Sequence, residues 1–308
     1  DGGVPETAWS EIGVAGIPFV RDLDFKYGEV ARVSPRIRRV IAENPGPFTY
    51  LGTGVYIVGN GDVAVIDPGP LGDDPAHVHE LIRILDGERI TAIMCTHTHR
   101  DHSPAAAPLA EATRAPVIGC APLVLSDDGP RADAGFDPTY NPDGILADGE
   151  ALTGPGWTLR AVATPGHTSN HLCFELEEEK ALFTGDHVMG WSTTVVSPPD
   201  GDMAAYMASL ALLMERDDAI YYPAHGKPVE NPQRLVRGMM GHRKQREGQI
   251  LRLLERGVEL IPDMVAEMYK GIDKRLHGAA GRSVLAHLID LRDRGVVSEC
   301  GDAWSLPG

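Results

Sequence analysis

The chain has 308 residues, 43% of them hydrophobic and 23% charged, enough to fill one large core with a small appendage and too apolar for a disordered polymer. A net charge of −16 argues against a protein that coats nucleic acid or an anionic membrane, and no apolar run is long enough to cross a bilayer. Four scattered cysteines, Cys95, Cys120, Cys173 and Cys300, lack paired or C-x-x-C spacing and predict buried thiols in a reducing, cytoplasmic compartment.

In chain order, "TGVYIVG" and "VAVIDPG" predict two strands joined by "NGD", a hairpin turn signal. "DPAHVHELIRILDG" predicts a helix that stops at a glycine. "ITAIMC" reads as a buried strand, "SPAAAPLAEAT" as a helix capped by Ser103 with Pro104 in its first turn, and "APVIGC" as another strand. Further on, "LCFEL" and "ALFTGD" are predicted strands, "MAAYMASLALLMER" a helix, and "AIYYPAHG" a strand ending in a loop. Strands and helices mixed in this way across two halves predict a layered αββα sandwich.

The remaining segments, "HRKQREGQILRLLERG", "IPDMVAEMYKG" and "GRSVLAHLIDLRDRG", predict three helices, followed by two short strands around the Gly-Asp turn of "VVSECGDAWSL". Three helices and a hairpin form the layout of a winged helix. The expected division is residues 1–240 for the sandwich and 241–308 for the winged helix. From His242 onward 11 Lys and Arg face 10 Asp and Glu, so the appendage is near neutral and the body carries almost all the negative charge.

The stretch "THTHRDH" places His97, His99, Asp101 and His102 directly after the "ITAIMC" strand. In extended geometry residues two apart point to one side, so His97 and His99 face the same volume, and Asp101 and His102 follow where the chain turns. Three further donors stand at predicted strand ends: His167 in "TPGHTSNH", Asp186 in "LFTGDHV" and His225 in "YYPAHG". Imidazoles and carboxylates without thiolate suit zinc, and also iron or manganese, in open catalytic sites. Five histidines and two aspartates satisfy two adjacent metals if one carboxylate bridges them.

These stretches resemble the metallo-β-lactamase superfamily, whose H-x-H-x-D-H motif matches His97, His99, Asp101 and His102. The resemblance spans nearly the whole chain. "SPRIRRVIAENPGPFTYLGTGVYIVG" and the winged-helix tail are similar to the lactamase-β-like protein 2 branch, whose animal members are endoribonucleases. It implies an αββα metallo-β-lactamase sandwich with a small C-terminal winged-helix domain. It further implies one metal on His97, His99 and His167, a second on Asp101, His102 and His225, and Asp186 between them. The second-site cysteine of true zinc β-lactamases is absent, which argues against a β-lactam substrate. Two divalent cations about 3.5 Å apart, zinc first among them, would hold a hydroxide as nucleophile. Asp101 would orient it or accept its proton, and Asp67 in "VIDPG" would hold a ligand histidine in one tautomer.

Other residues invite plainer roles. His77 and His79 imitate the motif, but on a helix they point to nearly opposite sides and are expected at or near the surface. His171 and His187 are split between positioning the site and ordinary hydrogen bonding. Trp191, Ser192 and Thr193 are weighed as lining of a substrate cleft, Tyr221 and Tyr222 as packing, and His287 as structural. Lys274, Arg275 and Arg282 form the one local basic group of a winged helix otherwise too neutral for duplex binding, so a lid or dimer element, making a homodimer, is the preferred role for it.

The expected activity is hydrolysis of an ester, thioester or lactone in a small-molecule substrate. The first alternative is endonucleolytic cleavage of single-stranded RNA. The second is a nucleic-acid-binding regulator with an inactive hydrolase domain.

Overall fold

The structure, a computed structural model, describes residues 17–72, 75–123, 135–271 and 276–307. Seven strands form the first sheet in chain order: β1 (Ala31–Arg32), β2 (Ile37–Ile41), β3 (Gly54–Asn60), β4 (Asp62–Ile66), β5 (Arg89–Cys95), β6 (Val117–Gly119) and β7 (Gly144–Ile145). Pairing is antiparallel up to β4 and parallel from β4 to β7. The β3–β4 hairpin turns at Gly61, whose φ of +77° is the conformation that glycine adopts without cost.

The second sheet comprises β8 (Ala151–Gly154), β9 (Trp157–Ala163), β10 (Leu172–Leu176), β11 (Ala181–Gly185) and β12 (Ile220–Pro223) in the order β12-β11-β10-β9-β8. Only β11 and β12 run parallel in it. Along its strands the side chains alternate between two cores, as a period of two requires. Leu159, Phe174, Phe183 and Tyr222 face the first sheet, while Val162, Cys173, Leu182 and Tyr221 face outward. Helices α1 (Ala76–Ile84) and α2 (Ala106–Thr113) join the first core through Val78, Leu81 and Leu109. Helices α3 (Met203–Met214) and α4 (Pro232–Glu255) cover the outward face with Tyr206, Leu210, Leu235, Val236 and Met239. The result is the expected αββα sandwich.

The C-terminal part adds α5 (Ile261–Met268), α6 (His277–Asp293) and the wing strands β13 (Ser298–Cys300) and β14 (Ala303–Ser305). Its own core gathers Leu253, Leu254, Val265, Leu288, Leu291 and Trp304. No helix among the described residues is long and apolar enough to cross a membrane.

Several local expectations differ from what forms. Helix α4 begins at Pro232, ten residues before the expected start, because Leu235, Val236 and Met239 already repeat at helical spacing against the second core. Helix α2 begins at Ala106, and the Ser103 hydroxyl donates to Asp137 Oδ2 at 3.1 Å instead of capping it. Strands β2 and β9 escape the sequence expectations because arginines interrupt their apolar runs. Arg38 makes a double hydrogen bond to Glu88, and Arg160 donates to Glu177. Cys95, Cys120 and Cys173 are buried as expected, but Cys300 is exposed on the wing. Tyr221 and Tyr222 are both packing residues.

His287 sits 2% exposed on α6. Burial, with Arg243, His242 and Arg246 nearby, pushes it down to about 3, so it stays neutral in the folded state while the unfolded chain protonates it at ordinary acidity. Stability from this group is full above about pH 6.5 and is lost as pH falls towards about 3. His287→Leu is expected to reduce the loss of unfolding free energy between about pH 7 and pH 5 by about 2 kcal/mol, measured by urea unfolding at the two pH values. An unchanged loss would show that His287 is not held neutral.

Candidate metal centre

The seven predicted donors meet at one end of the sandwich. The loop after β5 carries His97, His99, Asp101 and His102, and it closes on itself through a His102 N–H to His99 carbonyl hydrogen bond of 3.0 Å. His167 lies in the turn between β9 and β10, Asp186 directly follows β11, and His225 follows β12. Because β11 and β12 are parallel, their C-terminal ends lie side by side, and the Ala224 N–H donates to Gly185 O at 3.0 Å. Two glycines make the approach feasible. At Gly166, φ +134°, a Cβ would stand 2.3 Å from the backbone of Tyr206. At Gly185, φ +48°, it would stand 2.7 Å from His171 Nε2 and Thr96 Oγ1.

The donor atoms form two groups of four, each confined within 4.8 Å. His97, His99, His167 and Asp186 make one; Asp101, His102, Asp186 and His225 make the other. Asp186 belongs to both, with Oδ2 3.7 Å from His167 Nε2 and Oδ1 3.2 Å from His225 Nε2. In the first group, His97 Nε2 and His167 Nε2 each lie 3.0 Å from His99 Nδ1. In the second, Asp101 Oδ2 lies 3.2 Å from His102 Nε2 and 3.1 Å from His225 Nε2. His102 Nε2, His225 Nε2 and Asp186 Oδ1 are nevertheless buried without a hydrogen bond of proper geometry. Buried polar atoms left this way are costly, and cations at the two foci would satisfy all three.

The outward nitrogens of the rings are held by fixed acceptors, which turns the inward lone pairs toward the foci. His102 Nδ1–H donates to Asp67 Oδ2 at 3.0 Å, His167 Nδ1–H to Val195 O at 2.6 Å, and His225 Nδ1–H to Gly52 O at 3.3 Å. His97 Nδ1 lies 3.0 Å from Thr96 Oγ1. Asp67 also accepts from the Thr96 N–H and hydroxyl, both at 2.8 Å, and adopts φ +49°, uncommon for a non-glycine residue. His171 Nε2 accepts the Asp186 N–H at 3.3 Å and its Nδ1 meets Thr164 Oγ1 at 2.8 Å, so it positions the shared carboxylate from beneath. His187 packs on the Tyr206 ring at 4.7 Å. His77 hydrogen bonds to Pro68 O, away from the site, and His79 is exposed.

The electrostatics follow from concentrating two carboxylates among buried imidazoles. Burial opposes ionisation of Asp101 and Asp186, but His102 and His225 outweigh it and hold both well below the usual carboxylate range. Burial likewise opposes charging of His225, yet Asp186 and Asp101 push it up to about 10, and His102 rises well above its ordinary value for the same reason. His97 goes the other way, driven well down by burial and by the three neighbouring imidazoles. The pocket attracts positive charge to its carboxylate side and keeps His97 an unprotonated donor.

Sequence reasoning missed Thr96, Thr194 and the carbonyls of Val195 and Gly52, because backbone acceptors leave no compositional trace. Thr194 Oγ1 donates to the carbonyls of Asp186 and His187 at 2.8 and 2.9 Å. Trp191, Ser192 and Thr193 do line a cavity, one that lies between the sandwich and the C-terminal helices. Lys274 and Arg275 fall outside the described residues. Arg282 is turned inward, donating to the Pro198 carbonyl.

Residues 50–225 match the family model described as Metallo-beta-lactamase superfamily, and residues 261–304 match the Beta-lactamase associated winged helix domain. The chain is 31% identical over 264 residues to "Lactamase-like protein ptaB" of Pestalotiopsis fici, covering 82% of this chain and 78% of that protein. It is 35% identical over 234 residues to an "Atrochrysone carboxyl ACP thioesterase" of Aspergillus fumigatus, covering 74% and 67%. Among solved structures, a beta-lactamase domain protein from Burkholderia ambifaria superposes with a TM-score of 0.76 at 22% identity over 95% of this chain and 97% of its own. A chain with this sandwich, this clustered donor set and these relatives belongs to the metallo-beta-lactamase superfamily and is a hydrolase of that fold, with a C-terminal winged-helix domain.

Proposed function

We propose that the protein is a dinuclear metal-dependent thioesterase, with zinc the leading occupant and iron or manganese the other cations that this donor set accepts. The observation that carries the dinuclear site is the sharing of Asp186 between two four-donor groups. His97, His99 and His167 would hold one cation, Asp101, His102 and His225 the other, and Asp186 both. When bound, the cations supply an activated water at neutral pH and polarise the scissile carbonyl. Asp101, held ionised by His102 and His225 and 3.1 Å from His225 Nε2, would orient that water. Asp67 fixes the His102 tautomer, and Val195 O fixes that of His167.

The choice of a thioester among acyl bonds rests on the relative named as an acyl-carrier thioesterase. Ester and lactone cleavage share the same chemistry at the carbonyl. A single-stranded RNA substrate is less favoured, because the winged helix is near neutral and three of its described arginines are already bonded within the protein. Arg292 pairs with Glu299 and Asp293, Arg294 with Glu247 and Asp290, and Arg282 is bonded to the sandwich. The winged helix is proposed as a wall of the substrate cleft, in a chain divided near residue 240.

Purified without added metal, the protein is expected to carry about two equivalents of divalent metal by elemental analysis, and to hydrolyse acyl thioesters in a chelator-sensitive way. Activity on RNA oligonucleotides with none on thioesters would overturn the substrate class. Asp186→Ala is expected to lower metal content to about one equivalent or less and kcat/KM by about 1000-fold or more, since it belongs to both groups. Asp67→Ala should cost about 10- to 100-fold in metal affinity or activity through loss of its hydrogen bonds to His102 and Thr96. Because His102 and His225 hold protons at neutral pH before loading, metal binding releases protons and tightens as pH rises towards about 10. Calorimetry in buffers of different ionisation enthalpy reads that release, and zero release would contradict it.

A further inference from the structure

The cavity between the sandwich and the winged helix has a composition that hydrolysis of an acyl bond alone does not require. Its walls are apolar at Trp191, Tyr269 and Ala280, yet Arg243 and Arg246 of α4 lie in its lining, only 4% and 8% exposed. Among the described residues neither guanidinium has a carboxylate partner. Arg243 donates to Thr194 O and to Ser283 Oγ and lies over the Tyr206 ring at 5.1 Å. Arg246 donates to Gln249 Oε1, Met268 O and His242 Nε2, and lies over the Tyr269 ring at 4.4 Å. Carbonyls, a hydroxyl, an imidazole and ring faces orient these side chains but cancel no charge.

Buried arginines are normally paired, since desolvating an uncompensated charge is costly. Here two stand one helical turn apart, at positions 243 and 246, in a chain whose net charge is −16 and which has acidic side chains in abundance. The lining also includes His242, which burial and the two arginines push down to about 3, so it stays neutral and the arginines supply the positive charge there. Hydrogen bonds tie one wall of the cavity to the metal donors. Arg243 holds the carbonyl of Thr194, whose hydroxyl holds that of Asp186, and the next residue, Val195, orients His167.

We propose that Arg243 and Arg246 form an oxyanion-binding subsite in the cavity between the two domains, so that the preferred thioester carries an anionic carboxylate or phosphate group. The subsite rests on the thioesterase proposal for its substrates but not for its existence. The apolar walls take the hydrocarbon part of the ligand, and Nη2 of Arg246, which has no acceptor among the described residues, donates to its oxygens while Nε and Nη1 stay anchored to His242, Gln249 and Met268.

The test compares metal-loaded wild type, Arg246→Gln and Arg246→Lys, each with its thermal midpoint measured, on two pairs of thioesters. One pair is glutaryl-N-acetylcysteamine and its neutral methyl ester; the other is butyryl-phosphopantetheine and butyryl-pantetheine. Wild type is expected to favour the charged member of one pair by about 10- to 100-fold in kcat/KM. Arg246→Gln should erase that charged-to-neutral ratio, and Arg246→Lys should retain part of it. The pair showing the preference identifies an acyl carboxylate or a carrier phosphate as the source. Equal rates within both pairs, or a preference that survives in Arg246→Gln, overturn the proposal. If Arg246→Gln does not fold, Arg246→Lys decides by the same ratio, an undiminished preference counting against the subsite. If no thioester is hydrolysed, the thioesterase proposal is what fails. Calorimetric titration of glutarate and of phosphopantetheine then reads the subsite directly: binding at least about 10-fold weaker in either variant supports it, and equal or absent binding overturns it.

Discussion

The structure is organised around a deficit of positive charge. Two carboxylates and five imidazoles are packed into a largely buried volume, where His102 Nε2, His225 Nε2 and Asp186 Oδ1 lack a hydrogen bond of proper geometry. In a metal-free state the carboxylates recruit protons onto His102 and His225, a makeshift solution that divalent cations improve upon. Much of the surrounding architecture serves to hold the donors in that unfavourable crowd. The parallel ends of β11 and β12 bring Asp186 and His225 together. Gly166 and Gly185 remove side chains that would collide, and Asp67 accepts an uncommon backbone conformation to reach Thr96 and His102 at once.

The fold was legible where hydrophobic periodicity was uninterrupted. The β3–β4 hairpin, β10, β11, β12 and α3 emerge from apolar runs bounded by turn residues. Strands β2 and β9 do not, because salt-bridged arginines occupy positions that a propensity argument counts as polar. The start of α4 is hidden for a related reason: its first turns bury residues against the sandwich, while its last turns bury residues against the winged helix.

The donor set was legible for a different reason. Histidine and aspartate are rare enough at strand ends that their repetition there has meaning, and the family resemblance grouped them. What supports them was not legible. The carbonyls of Val195 and Gly52 act through backbone atoms common to every residue, and Thr96, Thr194 and His171 acquire their roles only when separate strands meet. The arginines of the inter-domain cavity belong here too, since sequence cannot distinguish an exposed guanidinium on a charged helix from one sealed against Tyr206 or Tyr269.

Helix α4 is a single uninterrupted element of 24 residues that contributes to the cores of both domains. It is a shared beam and not a tether, so the gap between the domains has no flexible joint at residue 240 about which to open. Cutting the chain there would sever a helix in mid-course and strip the sandwich of part of its cover. The cavity wall that α4 supplies through His242, Arg243 and Arg246 is therefore anchored at both ends, in the sandwich core and in the core of the winged helix.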